Sequence, residues 1–227
     1  MQKNLLNIAI AVCAIAAISA SYADDLRWFW VLKPLTTILI FLLPLLFTDG
    51  LPSNFSHFRK KILVALLFCL AGDVFLLNDE YFALGLGSFL IAHVLFAYVF
   101  YKLSNKKLYL LPLLVLLAIA LTYYSILFPK LGSLALPVAV YFCCIIVMCW
   151  QSFRLGLSLK NAKGLGFIIA TNLFVISDSV IAANKFLVPF SASSIIVLAL
   201  YWLSITLLAN LFSGPDIHSK MTPSAEA

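Results

Sequence analysis

Apolar residues gather into eight runs along the chain: Leu5 to Ala23, Phe29 to Phe47, Ile62 to Leu77, Phe82 to Tyr101, Leu108 to Phe128, Leu134 to Trp150, Gly164 to Ala183 and Ser194 to Phe212. Each approaches the roughly 20 residues that cross a hydrocarbon core of about 30 Å. The runs are continuous rather than alternating, so they predict helices and not the strands of about 9 to 11 residues that build a membrane barrel. Polar punctuation separates them: Thr-Asp-Gly-Leu-Pro-Ser-Asn at 48 to 54, Asn-Asp-Glu at 78 to 80, Ser-Asn-Lys-Lys at 104 to 107 and Pro-Lys-Leu-Gly-Ser at 129 to 133 are turn compositions. The pattern predicts an all-α integral membrane protein, a bundle of about eight transmembrane helices. Residues 1 to 213 form a single membrane domain in this reading, and 214 to 227 form a disordered cytoplasmic tail.

Composition agrees. Of 227 residues 64% are hydrophobic and 11% charged, against about 25% charged in soluble domains, so no water-facing surface of ordinary kind can be assembled. The net charge of +6 would suggest nucleic acid in a soluble protein. Here the basic residues sit in short loops, so it reads as a topology signal and no nucleic-acid partner is expected. With the N-terminus inside, Lys3, Arg59, Lys60, Lys61, Lys102, Lys106, Lys107, Arg154, Lys160, Lys163 and Lys220 are cytoplasmic and Arg27, Lys33, Lys130 and Lys185 external. The positive-inside rule therefore selects N-in and C-in. Residues 5 to 23, ending Ser-Ala-Ser-Tyr-Ala before Asp24, also have the form of a signal peptide; the expectation is an uncleaved first helix that serves as its own signal. The five cysteines lie inside apolar runs without CxxC spacing, so they predict packing residues, and neither a zinc site nor a disulfide framework. A bacterial inner membrane is the expected location.

Few ionisable groups remain inside the spans: Asp73, His93 and Asp178, with Lys33 near one end. A charged Asp at a helix centre costs about 2.5 to 3.5 kcal/mol on insertion scales, so such residues face the bundle interior or a cavity. At about 1.5 Å per residue, Asp73 lies roughly 16 Å and Asp178 roughly 21 Å above the cytoplasmic side, while His93 lies roughly 16 Å and Lys33 roughly 6 Å below the outer face. Four distant stretches thus bring polar groups to similar depth, as a single site requires. Each has a plainer reading too. Asp73 after Gly72 could cap a broken helix, Asp178 could join a hydrogen-bond cluster with Ser177, Ser179 and Asn172, His93 could be an interhelical donor, and Lys33 could snorkel.

Gly72-Asp73-Val-Phe-Leu-Leu followed by Gly85-Leu-Gly-Ser-Phe-Leu-Ile-Ala-His93 and Tyr98 resembles the central signature of the YhhN family of lysoplasmalogenases. Lys33-Pro34-Leu-Thr-Thr and Asn172-Leu-Phe-Val-Ile-Ser177-Asp178-Ser-Val-Ile-Ala are similar to its other two blocks, in the same order and at plausible spacing over about residues 28 to 210. The resemblance departs in the last span, where the family pattern has a Gln shortly after a Tyr pair and this chain reads Tyr201-Trp-Leu-Ser-Ile205. It implies hydrolysis of the vinyl ether bond of a lysophospholipid substrate drawn from membrane lipid, without metal or cofactor, and catalytic roles for Asp73 and Asp178.

The chemistry suits such residues. An alkenyl ether resists bases but yields to acid, because protonation of its outer alkene carbon gives an oxocarbenium ion that water captures as a hemiacetal. One carboxyl must supply the proton and a nearby carboxylate stabilise the cation, as in glycosidase pairs. In this reading Asp73 and Asp178 are acid and base or stabiliser in either order, His93 orients one of them or meets the phosphate, Lys33 meets the phosphate, and Asn172 and Ser177 position water. The same carboxylates would also serve a proton-coupled transporter or an intramembrane aspartyl protease, although residues 70 to 73 read Leu-Ala-Gly-Asp and lack the Gly-x-Gly-Asp of such proteases.

Overall fold

The computed structural model describes residues 2–47, 55–105 and 107–213, and in them no strand occurs. The helices are α1 (Gln2–Tyr22), α2 (Leu26–Leu46), α3 (Phe55–Phe75), α4 (Phe82–Leu103), α5 (Leu110–Leu131), α6 (Ala135–Leu159), α7 (Ala162–Ala182) and α8 (Ser193–Phe212). Short 3-10 turns at Asp79–Tyr81 and Gly132–Leu134 and a π-helical turn at Ala183–Leu187 join some of them. Gln2–Tyr22, Leu26–Leu46, Asp79–Leu103, Leu110–Leu159, Ala162–Leu187 and Ser193–Phe212 have the length and hydropathy of membrane spans, the fourth containing both α5 and α6. The protein is therefore an all-α, multi-pass membrane bundle. Helix α3 falls outside that set because Arg59, Lys60 and Lys61 occupy its second turn. The predicted turn at 48 to 54 and the predicted tail from 214 lie outside the described residues.

Two helices overrun their predicted limits for one physical reason: a charge on the extension is satisfied by the protein. The α3 helix begins before Ile62, and Arg59 donates to the carbonyls of Pro44 (2.9 Å) and Leu45 at the end of α2, where no intrahelical partner exists. The α6 helix continues past Trp150 to Leu159, and Arg154, only 6% exposed, donates to Lys107 O (3.1 Å), Asn105 O (2.9 Å) and Gln151 Oε1 (2.8 Å).

The first turn of α1 meets the last turn of α8. Lys3 Nζ donates to Ser213 O (3.4 Å), and Asn7 and Asn210 exchange amide hydrogen bonds (3.2 and 2.8 Å), so both lie at one end of the bundle. The centre is built from α3, α4, α7 and α8, where Phe96, Phe100, Phe167 and Phe212 are fully buried; Phe100 stacks on Phe96 and Phe212, and Phe167 meets Phe100 and Phe212 at steep angles. Helix α5 stands at the edge: it buries only Leu127 and Leu131 and packs on α6 and the 183–187 turn.

Helices α6 and α7 touch backbone to backbone. A Cβ on Gly156 would stand 2.6 Å from the carbonyl oxygen of Gly164 and from Ile168 Cδ1, which is closer than real Cβ atoms approach. Gly156→Ala is expected to destabilise the purified protein by about 1 to 3 kcal/mol through overpacking, whereas Gly87→Ala, with nothing within 4 Å of its Cβ, leaves the thermal midpoint unchanged or raises it. Equal midpoints for the two variants would contradict the close α6–α7 contact.

Candidate active site

Because α5 leans away, an apolar cavity of about 630 Å³ opens between α4, α5, α6 and α7, within the usual range for a ligand site of about 300 to 1,000 Å³. Its walls are side chains such as Leu86, Phe89, Ile119, Val138, Ile145 and Phe186, and among the described residues Asp178 is the only charged one lining it. Phe82 and Phe186 form part of the wall nearest the connecting turns and meet edge to face (centroids 6.1 Å). Beside them Lys185 lies over the Phe82 ring (5.0 Å) and pairs with Asp79 (3.0 Å).

Asp178, on α7, accepts a hydrogen bond from the Tyr141 hydroxyl of α6. His93 of α4 brings Nε2 to 3.7 Å from Asp178 Oδ2, beyond hydrogen-bond range. Its ring packs edge to face against Tyr141 (5.3 Å) and Phe174 (4.6 Å). Both ring nitrogens are buried and make no hydrogen bond with any described residue. A buried polar atom left so costs free energy unless something else meets it.

Asp73, on α3 and 2% exposed, has a different setting. Its Oδ2 accepts from Thr37 Oγ1 of α2 (2.5 Å) and from the Tyr201 hydroxyl of α8 (2.8 Å), and Trp202 Nε1 donates to Thr37 Oγ1 (3.3 Å). Lys33, one turn before Thr37 and 6% exposed, interacts electrostatically with Asp73, and its Nζ lies 5.8 Å from the Phe29 ring centre. Gly72 allows this corner to form, since a Cβ there would lie 2.6 Å from the Phe89 ring.

The two carboxylates are joined through shared neighbours. Cys69, one turn before Asp73 and fully buried, lies within electrostatic reach of both Asp73 and Asp178. Phe89 lines the cavity with one face and meets Tyr201 (5.6 Å) and Phe174 (6.1 Å) edge to face. A charge at Asp73 is thus one aromatic layer behind the cavity wall.

Of the residues singled out in the sequence, Asp73, His93, Asp178 and Lys33 converge on this region. Asn172 donates to Ile168 O in its own helix (2.8 Å), and Ser177 donates to Val197 O (3.0 Å), tying α7 to α8. Tyr98 is 39% exposed on α4 and lies beside Lys61 and Lys102. Among the described residues, none of Asn172, Ser177 and Tyr98 hydrogen-bonds a carboxylate. Sequence reasoning missed Thr37, Cys69, Tyr141 and Tyr201. A signal existed for two: Thr37 follows Lys33 by four residues and Cys69 precedes Asp73 by four, so each pair shares a helix face.

The family model described as YhhN matches residues 28–211. The human protein named lysoplasmalogenase TMEM86A is 32% identical over 189 residues, covering 79% of this chain and 77% of that protein. A protein of Escherichia coli named uncharacterized membrane protein YhhN is 28% identical over 198 residues, covering 86% and 92%. The pig lysoplasmalogenase TMEM86B is 32% identical over 146 residues, 64% of this chain and 60% of that protein. No solved structure matches the chain.

Proposed function

This chain belongs to the YhhN family, and on that premise we propose that it is a lysoplasmalogenase whose acid is Asp178. The observation that carries the reading is a single carboxyl in the wall of a cavity that is otherwise apolar or hydroxylic. Such a cavity accepts the alkenyl chain of a lysophospholipid and brings its vinyl ether to a proton donor, in surroundings where electrostatic stabilisation is strong because water is excluded.

The reaction proceeds in balanced steps. The Asp178 carboxyl gives its proton to the alkene carbon remote from the ether oxygen, leaving an oxocarbenium ion and a carboxylate. Water adds to the cationic carbon and returns a proton to Asp178. The resulting hemiacetal breaks its bond to the glycerol oxygen, releasing a fatty aldehyde and a glycerophospho-alcohol. His93, whose nitrogens have no hydrogen-bond partner among the described residues, offers that water a donor and an acceptor. Asp73 supports the cation from behind Phe89, its charge held by Thr37 and Tyr201. Tyr141 orients Asp178.

The decisive measurement presents the purified protein with lysoplasmalogen, diacyl-type plasmalogen and an ordinary acyl lysophospholipid. Fatty aldehyde from the first, with no cleavage of the acyl ester, is expected. Ester hydrolysis, or no aldehyde from any substrate, would overturn the reading.

The phosphate of the substrate must remain outside the apolar walls. Lys33 is buried beside Asp73, whereas Lys185 is 38% exposed at its side chain next to the wall residues Phe82 and Phe186. Seven residues separate it from Asp178, about 10 Å of helical rise, a span that a glycerol backbone and a lysine side chain bridge. Lys185→Gln is expected to raise KM about fivefold with little change in kcat, following the roughly 1 kcal/mol that a lysine contributes near lipid phosphate. A fall in kcat at constant KM would speak against headgroup contact.

A further inference from the structure

At the end of the α3–α4 pair remote from the Asp79–Tyr81 turn, positive charge collects, and no carboxylate among the described residues pairs with it. Lys60 and Lys61 lie in the second turn of α3 and Lys102 in the last turn of α4. Lys61 Nζ stands 4.9 Å from the centre of the Tyr98 ring and Lys102 Nζ 5.6 Å from the same ring, with Lys102 also 5.8 Å from Tyr101. Among the described residues the carboxylates paired with a lysine or arginine are Asp25, with Arg27, and Asp79, with Lys185. Neither faces these lysines. Arg59, the next cation, is engaged by the carbonyls of Pro44 and Leu45.

Two ammonium groups drawn to one aromatic ring repel each other, and the attraction of each to the ring is worth only about 0.5 to 1 kcal/mol at an exposed site. An anion between them relieves that repulsion. The surface beside them is not wholly polar. Lys60 and Lys61 share a recess of about 340 Å³ with Val64 and Leu95, and Val64 is 40% exposed, so a greasy strip runs up from the charges along the α3–α4 seam. Charge at one end and apolar surface running into the membrane match an amphiphile better than a free anion.

We propose that Lys61 and Lys102, which share the Tyr98 ring, together with Lys60 in the adjoining recess, bind an anionic phospholipid whose acyl chain lies on Val64 and Leu95. The site is separate from the cavity that holds Asp178. All three lysines belong to the side read as cytoplasmic, where anionic lipid is attracted by basic residues at helix ends. The occupant is taken as a resident lipid rather than a substrate, since the residues lining the recess, Lys60, Lys61, Val64 and Leu95, include no acid.

The test uses the full chain in nanodiscs or detergent with equimolar phosphatidylglycerol and phosphatidylcholine, and reads retained lipid by native mass spectrometry. The wild type is expected to retain phosphatidylglycerol preferentially. Lys61→Gln with Lys102→Gln should weaken that retention roughly 30-fold, from about 1 kcal/mol per lysine. Lys61→Arg with Lys102→Arg should keep it. Lys107→Gln with Lys160→Gln removes equal charge from the same side, at residues that are exposed and outside the recess, and should leave it unchanged. Equal loss in both glutamine pairs would reduce the effect to diffuse surface charge and overturn the proposal. So would indifference of the wild type to headgroup charge, or displacement of the lipid by millimolar inorganic phosphate, which would make this a free-anion site. Each result is independent of whether the cavity hydrolyses a vinyl ether.

Discussion

Asp178→Asn is expected to abolish release of fatty aldehyde from lysoplasmalogen, with a loss of about 10² to 10⁴-fold in kcat, the usual contribution of a positioned acid. The substitution is nearly isosteric. An asparagine carbonyl still accepts the Tyr141 hydroxyl that Asp178 accepts, so the α6–α7 contact and the ring packing of His93 with Tyr141 and Phe174 persist. Only the transferable proton is lost. Helicity and the thermal midpoint should therefore match the wild type while turnover disappears, and a variant retaining turnover within about tenfold would remove Asp178 from the chemistry. Asp178→Glu sharpens the result, because it keeps the acid but pushes it further into the cavity; partial activity is expected, since a misplacement of about 1 Å is enough to cost about 10²-fold.

The bundle was readable because hydropathy in a membrane is nearly one-dimensional: a span needs only length and the absence of charge. What exceeded the pattern did so where a charge had a partner from elsewhere in the chain. Arg154 looked like loop and is helix because three acceptors from residues 105 to 151 surround it. In the candidate site, scarcity singled out Asp73, His93, Asp178 and Lys33, which stood out against apolar spans. Their hydroxyl partners did not stand out. Tyrosine occurs nine times, and which tyrosine turns toward a carboxylate depends on helix rotation and tilt. Nearness in sequence misled in the opposite sense. Asn172 precedes Asp178 by six residues, and Tyr98 follows His93 by five, spacings that at about 3.6 residues per turn carry a side chain well off the first residue's face. The last helix shows how limited a motif departure is: the family's Gln is missing after Tyr201, yet Tyr201 itself reaches Asp73.

Asp73 should behave unlike Asp178, because its partners are part of the fold. Removing its charge with Asp73→Leu leaves the Lys33 ammonium without its carboxylate in a site where Lys33 is 6% exposed, and leaves the hydroxyls of Thr37 and Tyr201 without their acceptor. A buried charge left without compensation and hydroxyls left without their acceptor each cost about 1 to 3 kcal/mol or more, together a large share of a total stability of about 5 to 15 kcal/mol. The expected result is a sharply lowered midpoint in thermal or denaturant unfolding. Adding Lys33→Met should restore part of the stability, because it removes the buried ammonium that the first substitution left without a compensating charge. The restored double variant should nevertheless remain inactive, since folding would have been recovered without the negative charge behind Phe89. That combination separates the two carboxylates: a folded, inactive Asp178→Asn identifies the proton donor, and a refolded, inactive Asp73→Leu/Lys33→Met identifies a charge the reaction needs. If Asp73→Leu alone is as stable as the wild type, Lys33 is not compensated by Asp73. If the double variant turns over normally, Asp73 holds the bundle together and takes no part in supporting the cation.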